Sequence, residues 1–327
     1  MKKIKNILMF DTSLGTRNLG DYIIRDSIND GMDYLLSNNF VVRFSTHTPI
    51  GKFKNLLKKG PILKYCQNAD YKFICGTNIF KGTLFKINSD WAVDLITIPF
   101  YRNSIALGCG LGKNDKKFYG LYTKFIYKKI LSKKYYHSVR DDNTKKFLES
   151  LGLKAINTGC PTMWKLTQEH CKTIPSKKAK NVIFTLTDYN QNIEADQKLI
   201  NILINNYDKV YYWLQGTGDL KYLSNFKNTD KIDIIAPNLE SYKRILTTGN
   251  VDYVGTRLHG GIYAMQNSVR SIIVIIDNRA RDMKETYNLN TIERDNIDEL
   301  EQIINSNFET RIKLNEENIR KFKNQFK

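Results

Sequence analysis

Thr256-Arg257-Leu258-His259-Gly260-Gly261 sets a guanidinium, an imidazole and a glycine pair within a single short stretch. A guanidinium is a planar fork that grips a carboxylate or a phosphate. An imidazole is the side chain that most readily carries a proton near neutral pH, so it suits general acid or base work. Arg-x-His alone is weak, because such an arginine is often a surface ion-pair partner and a lone histidine is often structural. Its placement adds weight. Val251–Gly255 before it is a short apolar run, and Ser271–Ile276 after it is a longer one rich in β-branched residues. Between them Ile262, Ala264 and Met265 fall on helical spacing. The motif therefore occupies a strand-to-helix turn. In open α/β sheets ligands bind at the carboxyl ends of strands. A helix N-terminus adds backbone N–H groups and a positive dipole end, which suit an anion.

The elements that must hold this turn alternate along the whole chain. At 327 residues the sequence exceeds one ordinary core, and two domains are expected. In the first half, strands are predicted at Ile4–Phe10, Val41–Phe44, Tyr71–Cys75, Ser104–Leu107, Tyr136–Val139 and Ala155–Asn157. Most of these end at small-residue loops, such as Gly76-Thr77-Asn78 and Gly108-Cys109-Gly110. The glycines after the first strand match neither GxGxxG nor the P-loop pattern. Helices are predicted at about Phe118–Leu131 and at Thr144–Leu151, the latter capped by Asp141 or Asp142 and closed by Gly152. In the second half, strands at Val182–Leu186, Val210–Leu214 and Ile232–Ile235 precede the pair around Arg257. Helices at Ile193–Asn205, Leu220–Phe226 and Leu239–Leu246 alternate with them. This βαβα order predicts an α/β protein of two parallel-sheet domains facing a cleft. The expected bounds are 1–166, a polar linker at 167–180, 181–292, and a helical tail at 293–327 that crosses back onto the first domain.

The composition is that of a globular protein with a formal net charge of +18. The excess suggests anionic company, or a lysine-rich coding bias. Lys113–Lys134 interleaves lysines with Phe118, Tyr119, Tyr122, Phe125 and Tyr127. Such a helix fits an anionic membrane face, and fits equally a helix with aromatics in the core and lysines in water. The five cysteines are scattered without a CxxC pair, so neither a disulfide framework nor a zinc site is indicated, and a reducing cytoplasm is expected. No apolar run reaches the length of a membrane span, and the one after Met1–Asn6 is too short for a signal core.

Asn18-x-Gly20-Asp21, Ser138-Val139-Arg140-Asp141, and Arg257-Leu258-His259 followed by Asp277-x-Arg279 together resemble the polysaccharide pyruvyltransferase family. The likeness runs from about Ile7 to Asp282. It departs where the family often has a glycine run, here Cys75-Gly76-Thr77-Asn78. It departs again where the family often has an arginine after the first strand of the second domain, here Thr187-Asp188. The resemblance implies two Rossmann-like halves of the glycosyltransferase-B kind. It implies transfer of the pyruvyl group of phosphoenolpyruvate onto two hydroxyls of a sugar, forming a cyclic ketal and releasing phosphate. Phosphoenolpyruvate is then a co-substrate, with no cofactor and no metal.

On that reading Arg257, Leu258, His259, Gly260 and Arg140 bind the donor. His259 is the acid for the methylene carbon or for the departing phosphate. Asp21, on the opposite domain, orients or deprotonates an acceptor hydroxyl, or simply caps its helix. Asn18, Gly20, Asp277 and Arg279 contact the cleft, unless Asp277 and Arg279 merely pair with one another. The acceptor is a sugar of a capsule or exopolysaccharide precursor, and the basic aromatic helix is compatible with a lipid-linked one at the inner membrane face. A cytoplasmic enzyme, soluble or peripheral to that face, is expected, and the residues carry no signal for an oligomeric state. Two rivals stay open. One is a glycosyltransferase using a nucleotide sugar, with Asp277 or Glu285 on the ribose. The other is a non-enzymatic binder of polyanions, ranked last because no nucleic-acid motif is present.

Overall fold

The structure, a computed structural model, describes residues 3–48, 50, 60–82, 84, 91, 93–112 and 120–327. The chain forms two compact units. One comprises Met1–Thr16, Ile24–Trp164 and Asn315–Lys327; the other comprises Arg17–Ile23 and Lys165–Leu314.

In the first unit a parallel sheet runs in the order β2-β1-β3-β4. Its strands are β1 (Asn6–Asp11), β2 (Phe40–Ser45), β3 (Tyr71–Cys75) and β4 (Ile105–Leu107). A parallel pair, β5 (His137–Val139) and β6 (Ala155–Asn157), is joined to the end of β4 by a bridge between Cys109 and Val139. Central strands β1 and β3 are almost wholly buried, as expected for a parallel sheet covered on both faces. One face packs Phe10, Phe80, Trp91, Tyr101 and Tyr127; the other packs Ile24, Ile28 and Phe73. Phe322 and Phe326 join the second face, so the C-terminal helix Glu316–Asn324 does cross back to the first unit. Behind β5, His137 is fully buried. Its Nδ1 accepts from the Ala106 N–H at 3.0 Å, and its Nε2 donates to the Ser132 carbonyl at 2.8 Å.

The second unit carries a six-stranded parallel sheet in the order β12-β11-β10-β7-β8-β9. Its strands are β7 (Asn181–Thr185), β8 (Lys209–Trp213), β9 (Ile232–Ile235), β10 (Val251–Gly255), β11 (Ser271–Ile275) and β12 (Thr291–Glu293). Read from β9 this is the doubly wound order, and the direction of winding reverses between β7 and β10. Loops at the carboxyl ends of those two strands flank the position where such sheets hold ligands.

Some expectations fall elsewhere. Thr167–Lys180, read as a linker, is grouped with the second unit. Gln168–Cys171 is helical, Cys171 and Ile174 are buried, and His170 Nε2 lies 2.8 Å from the Met265 carbonyl. The second unit extends to Leu314 before the chain returns. Asn278–Tyr287 is a helix whose polar sequence hides its periodicity. Lys113–Tyr119 of the basic aromatic stretch lies outside the described residues; the helix there spans Leu121–Ile130. Among the described residues no helix is long and apolar enough to cross a membrane.

Candidate active site

Arg257 stands just beyond the end of β10, after Thr256, and leads into the helix Leu258–Gln266. Its main chain is fixed on both sides. The Arg257 N–H donates to Thr185 Oγ1 at 3.3 Å, and its carbonyl accepts from Tyr253 Oη at 2.8 Å and from the Gly261 N–H at 3.1 Å. The guanidinium is only 4 % exposed. Its Nε donates to the Leu186 carbonyl at 3.3 Å, and its Nη2 donates to Asp188 Oδ1 at 2.9 Å and to Asp219 Oδ1 in a very short contact. Asp219 is held in turn by the N–H groups of Gln215 and Gly216 on its other oxygen, at 3.1 and 2.7 Å. Burial raises the Asp219 carboxyl, against the opposing pull of Arg257 and the Gly216 N–H. The two carboxylates differ in access: Asp219 is sealed, whereas the Asp188 side chain is 35 % exposed.

Tyr189 extends this group. Its ring centroid lies 5.4 Å from Arg257 Cζ, and its hydroxyl accepts from Arg279 Nη2 at 2.9 Å. Arg279 also pairs with Asp277 at 3.3 Å, and Asp277 caps its own helix through the Ala280 N–H at 3.1 Å.

On the other side of the turn stands a segment from far upstream. Asn18 bridges to Gly216, and the Leu19 N–H donates to the Gln215 carbonyl at 2.9 Å. Asn18 Oδ1 accepts both from the Gly20 N–H and from Gln215 Nε2, each at 3.0 Å, which starts the helix Leu19–Gly31. A methyl at Gly20 would lie 3.1 Å from Gln215 Nε2 and 3.3 Å from His259 Nδ1, so a residue without Cβ lets the imidazole approach. Because Nε2 is committed to Asn18, Gln215 Oε1 is an acceptor. It is buried without a hydrogen-bond partner among the described residues, and a methyl on Gly260 would lie 3.0 Å from it. A buried unpaired acceptor is costly and calls for a donor.

The structure thus brings Asn18, Gly20, Arg257, Leu258, His259, Gly260, Asp277 and Arg279 into the second unit. Asp21 is there too, in the first turn of its helix with its N–H on the Asn18 carbonyl at 3.1 Å, where the sequence reading has it on the opposite domain. Arg140 belongs to the first unit. It follows β5, its N–H donates to the Cys109 carbonyl at 3.0 Å, and its Nε lies 3.7 Å from Asp141. Asp141 caps the next helix through the Thr144 N–H at 2.7 Å. Gln215, Asp219 and Tyr189 escape the sequence reading. A signal for the first two exists: Gln215-Gly216-Thr217-Gly218, a small-residue stretch, lies just beyond strand β8 and leads into Asp219 at the start of the next helix.

No curated protein sequence matches the chain. Among solved structures, Staphylococcus aureus MnaA in its UDP co-structure superposes with a TM-score of 0.54 at 11 % identity, covering 98 % of this chain and 91 % of that one. A Methanocaldococcus jannaschii UDP-GlcNAc 2-epimerase, in complex with UDP-GlcNAc and UDP, gives 0.51 at 14 % identity, covering 98 % and 97 %. At such identities these likenesses speak to the fold, which is α/β with two parallel-sheet units of the glycosyltransferase-B kind. The family model described as polysaccharide pyruvyl transferase matches residues 18–278. That span opens on the Asn18 turn and runs through Arg140, the Arg257–Gly260 motif and Asp277. By its matched span and the residues it gathers, the chain belongs to the polysaccharide pyruvyl transferase family and is a transferase.

Proposed function

We propose that this transferase moves the pyruvyl group of phosphoenolpyruvate onto two hydroxyls of a sugar in a polysaccharide precursor. The methylene carbon of the donor takes one hydroxyl proton and becomes a methyl group. Both hydroxyl oxygens bond to the neighbouring carbon, and the bond from that carbon to the phosphate oxygen breaks. The second hydroxyl proton leaves on hydrogen phosphate, so atoms and charge balance.

The supporting observation is the N-terminus of the Leu258–Gln266 helix, which gathers His259, the Asn18–Gly20 turn and Gln215. His259 is half-buried, so it is partly shielded from water and still accessible. On this reading it delivers the proton to the methylene carbon, or protonates the departing phosphate. Gln215 Oε1 accepts from a hydroxyl, and Asp21 orients or deprotonates one. Arg257 is already matched by two carboxylates, so donor binding leans on Arg279, on the helix amides and on exchange with the exposed Asp188. Arg140 is the further cationic contact.

The test is melting with and without phosphoenolpyruvate, beside phosphate release with a sugar acceptor. Phosphoenolpyruvate should raise the melting temperature of the parent and of His259→Ala, since a ligand in excess stabilises by mass action. Phosphate release should fall about a hundredfold or more in His259→Ala. Arg279→Ala should lose the melting shift. A second reading, glycosyl transfer from a nucleotide sugar, draws on the two fold neighbours determined with UDP. A shift with UDP and none with phosphoenolpyruvate would replace the first reading with it.

A further inference from the structure

The helix Leu121–Ile130 has two faces with different jobs. Thr123, Ile126, Tyr127 and Ile130 are buried, and the Tyr127 hydroxyl is tied to the main chain of Lys81 at 2.9 and 3.2 Å. That face meets the needs of the core. At about 100° per residue, Leu121, Phe125 and Lys128 share the opposite meridian, with Lys124 and Lys129 on its flanks. Leu121 is 86 % exposed and Phe125 is 45 % exposed. Lys129 Nζ lies 5.4 Å from the centroid of the Phe125 ring. The short helix Ile98–Tyr101 packs beside this one, and the turn that enters it carries Leu95 and Ile96, both exposed. The outward face therefore carries Leu121 and Phe125 along its middle, with Lys128 at its C-terminal end and Lys124 and Lys129 at its edges, in a chain of net charge +18.

We infer that this face docks the protein on an anionic lipid bilayer. The rim chooses the occupant. A second copy would set lysine against lysine, and lysine is depleted at protein interfaces generally. A nucleic acid would satisfy the lysines and leave Leu121 in water. A bilayer with anionic headgroups answers both parts: lysines meet the surface charge while Leu121 and Phe125 enter the headgroup–acyl boundary. The inference stands apart from the proposed donor chemistry, since none of these residues belongs to that site.

The experiment uses the full chain with vesicles of phosphatidylcholine, with or without phosphatidylglycerol. The parent should sediment with the mixed vesicles and stay in solution with phosphatidylcholine alone. Leu121→Ser with Phe125→Ser leaves the net charge unchanged, so adsorption by overall charge would persist; insertion predicts about tenfold weaker partitioning. Both side chains point outward, so circular dichroism and melting of the double variant should match the parent. In Phe125→Trp, the emission should shift to the blue on mixed vesicles. Equal sedimentation of the serine variant, no vesicle binding by the parent, or loss of a parent oligomer on serine substitution would each overturn the inference.

Discussion

Two arginines follow strand ends, one in each unit, and the fold treats them differently. Arg257 is sealed against two carboxylates and a carbonyl, with its own main chain fixed by Thr185 and Tyr253. Arg140 keeps a 19 % exposed side chain and stands 3.7 Å from a carboxylate whose other oxygen is capping a helix. In the sequence both read as cationic contacts for the donor. The difference teaches that position at a strand end does not by itself make an arginine a ligand contact; what it is already paired with decides. Arg257 acts first as the strut of its turn, whereas the carboxylate beside Arg140 is a part-exposed helix cap at the longer distance of 3.7 Å.

The largest expected effect separates the two directly. Arg257→Ala strips the buried Asp219 of its counter-charge and should cost roughly 3–5 kcal/mol by denaturant unfolding. Arg140→Ala should stay within about 1 kcal/mol of the parent while weakening donor binding. Equal losses of stability would erase the comparison. Next comes acid. The weak point of the Arg140 turn lies behind it, at His137, whose burial pushes its imidazole down from 6.5 to about 4. The unfolded chain therefore binds the extra proton between those values. His137's contribution is complete above about pH 6.5 and is lost as pH falls towards 4, roughly 3 kcal/mol in all. His137→Gln should flatten the stability profile in that window, whatever its effect at neutral pH, and an unchanged slope would move the acid sensitivity elsewhere.

Smaller effects sharpen the Arg257 side. Gly20→Ala presses a methyl against Gln215 and His259 and should lower turnover about tenfold with little change in melting. Asp188→Asn tests whether the exposed carboxylate competes with the donor for Arg257. Removing its charge should lower KM for phosphoenolpyruvate by about threefold; a higher KM would mean that Asp188 instead aims the guanidinium.

The legible parts of the chain were those whose signal is local. β3, β6, β9 and β10 stand where runs of apolar or β-branched residues end at turns, and the Asp141 cap was audible in the residues that follow it. β12 was not, because Thr291-Ile292-Glu293 carries one apolar side chain. Arg257 and His259 could be found because motif and turn are contiguous. Gln215 and Asp219 could not be joined to them, because that depends on β8, β7 and β10 lying side by side. Gln215 and Asn18 are 197 positions apart. Nothing local assigns Arg17–Ile23 to the second unit.

The return of the chain has a consequence for the order of synthesis. Phe322 and Phe326 are almost wholly buried, Phe326 against Phe73 and Phe322 against Phe326 and Trp164, with Ile24 and Ile28 in the same cluster. A ribosome delivers Ile24 and Phe73 early and their aromatic partners only after the whole second unit has emerged. Until then the first unit waits with that face of its sheet covered only in part, by Ile24, Ile28 and their neighbours, and the second unit, which closes at Leu314, has no such wait apart from the Asn18 turn already made.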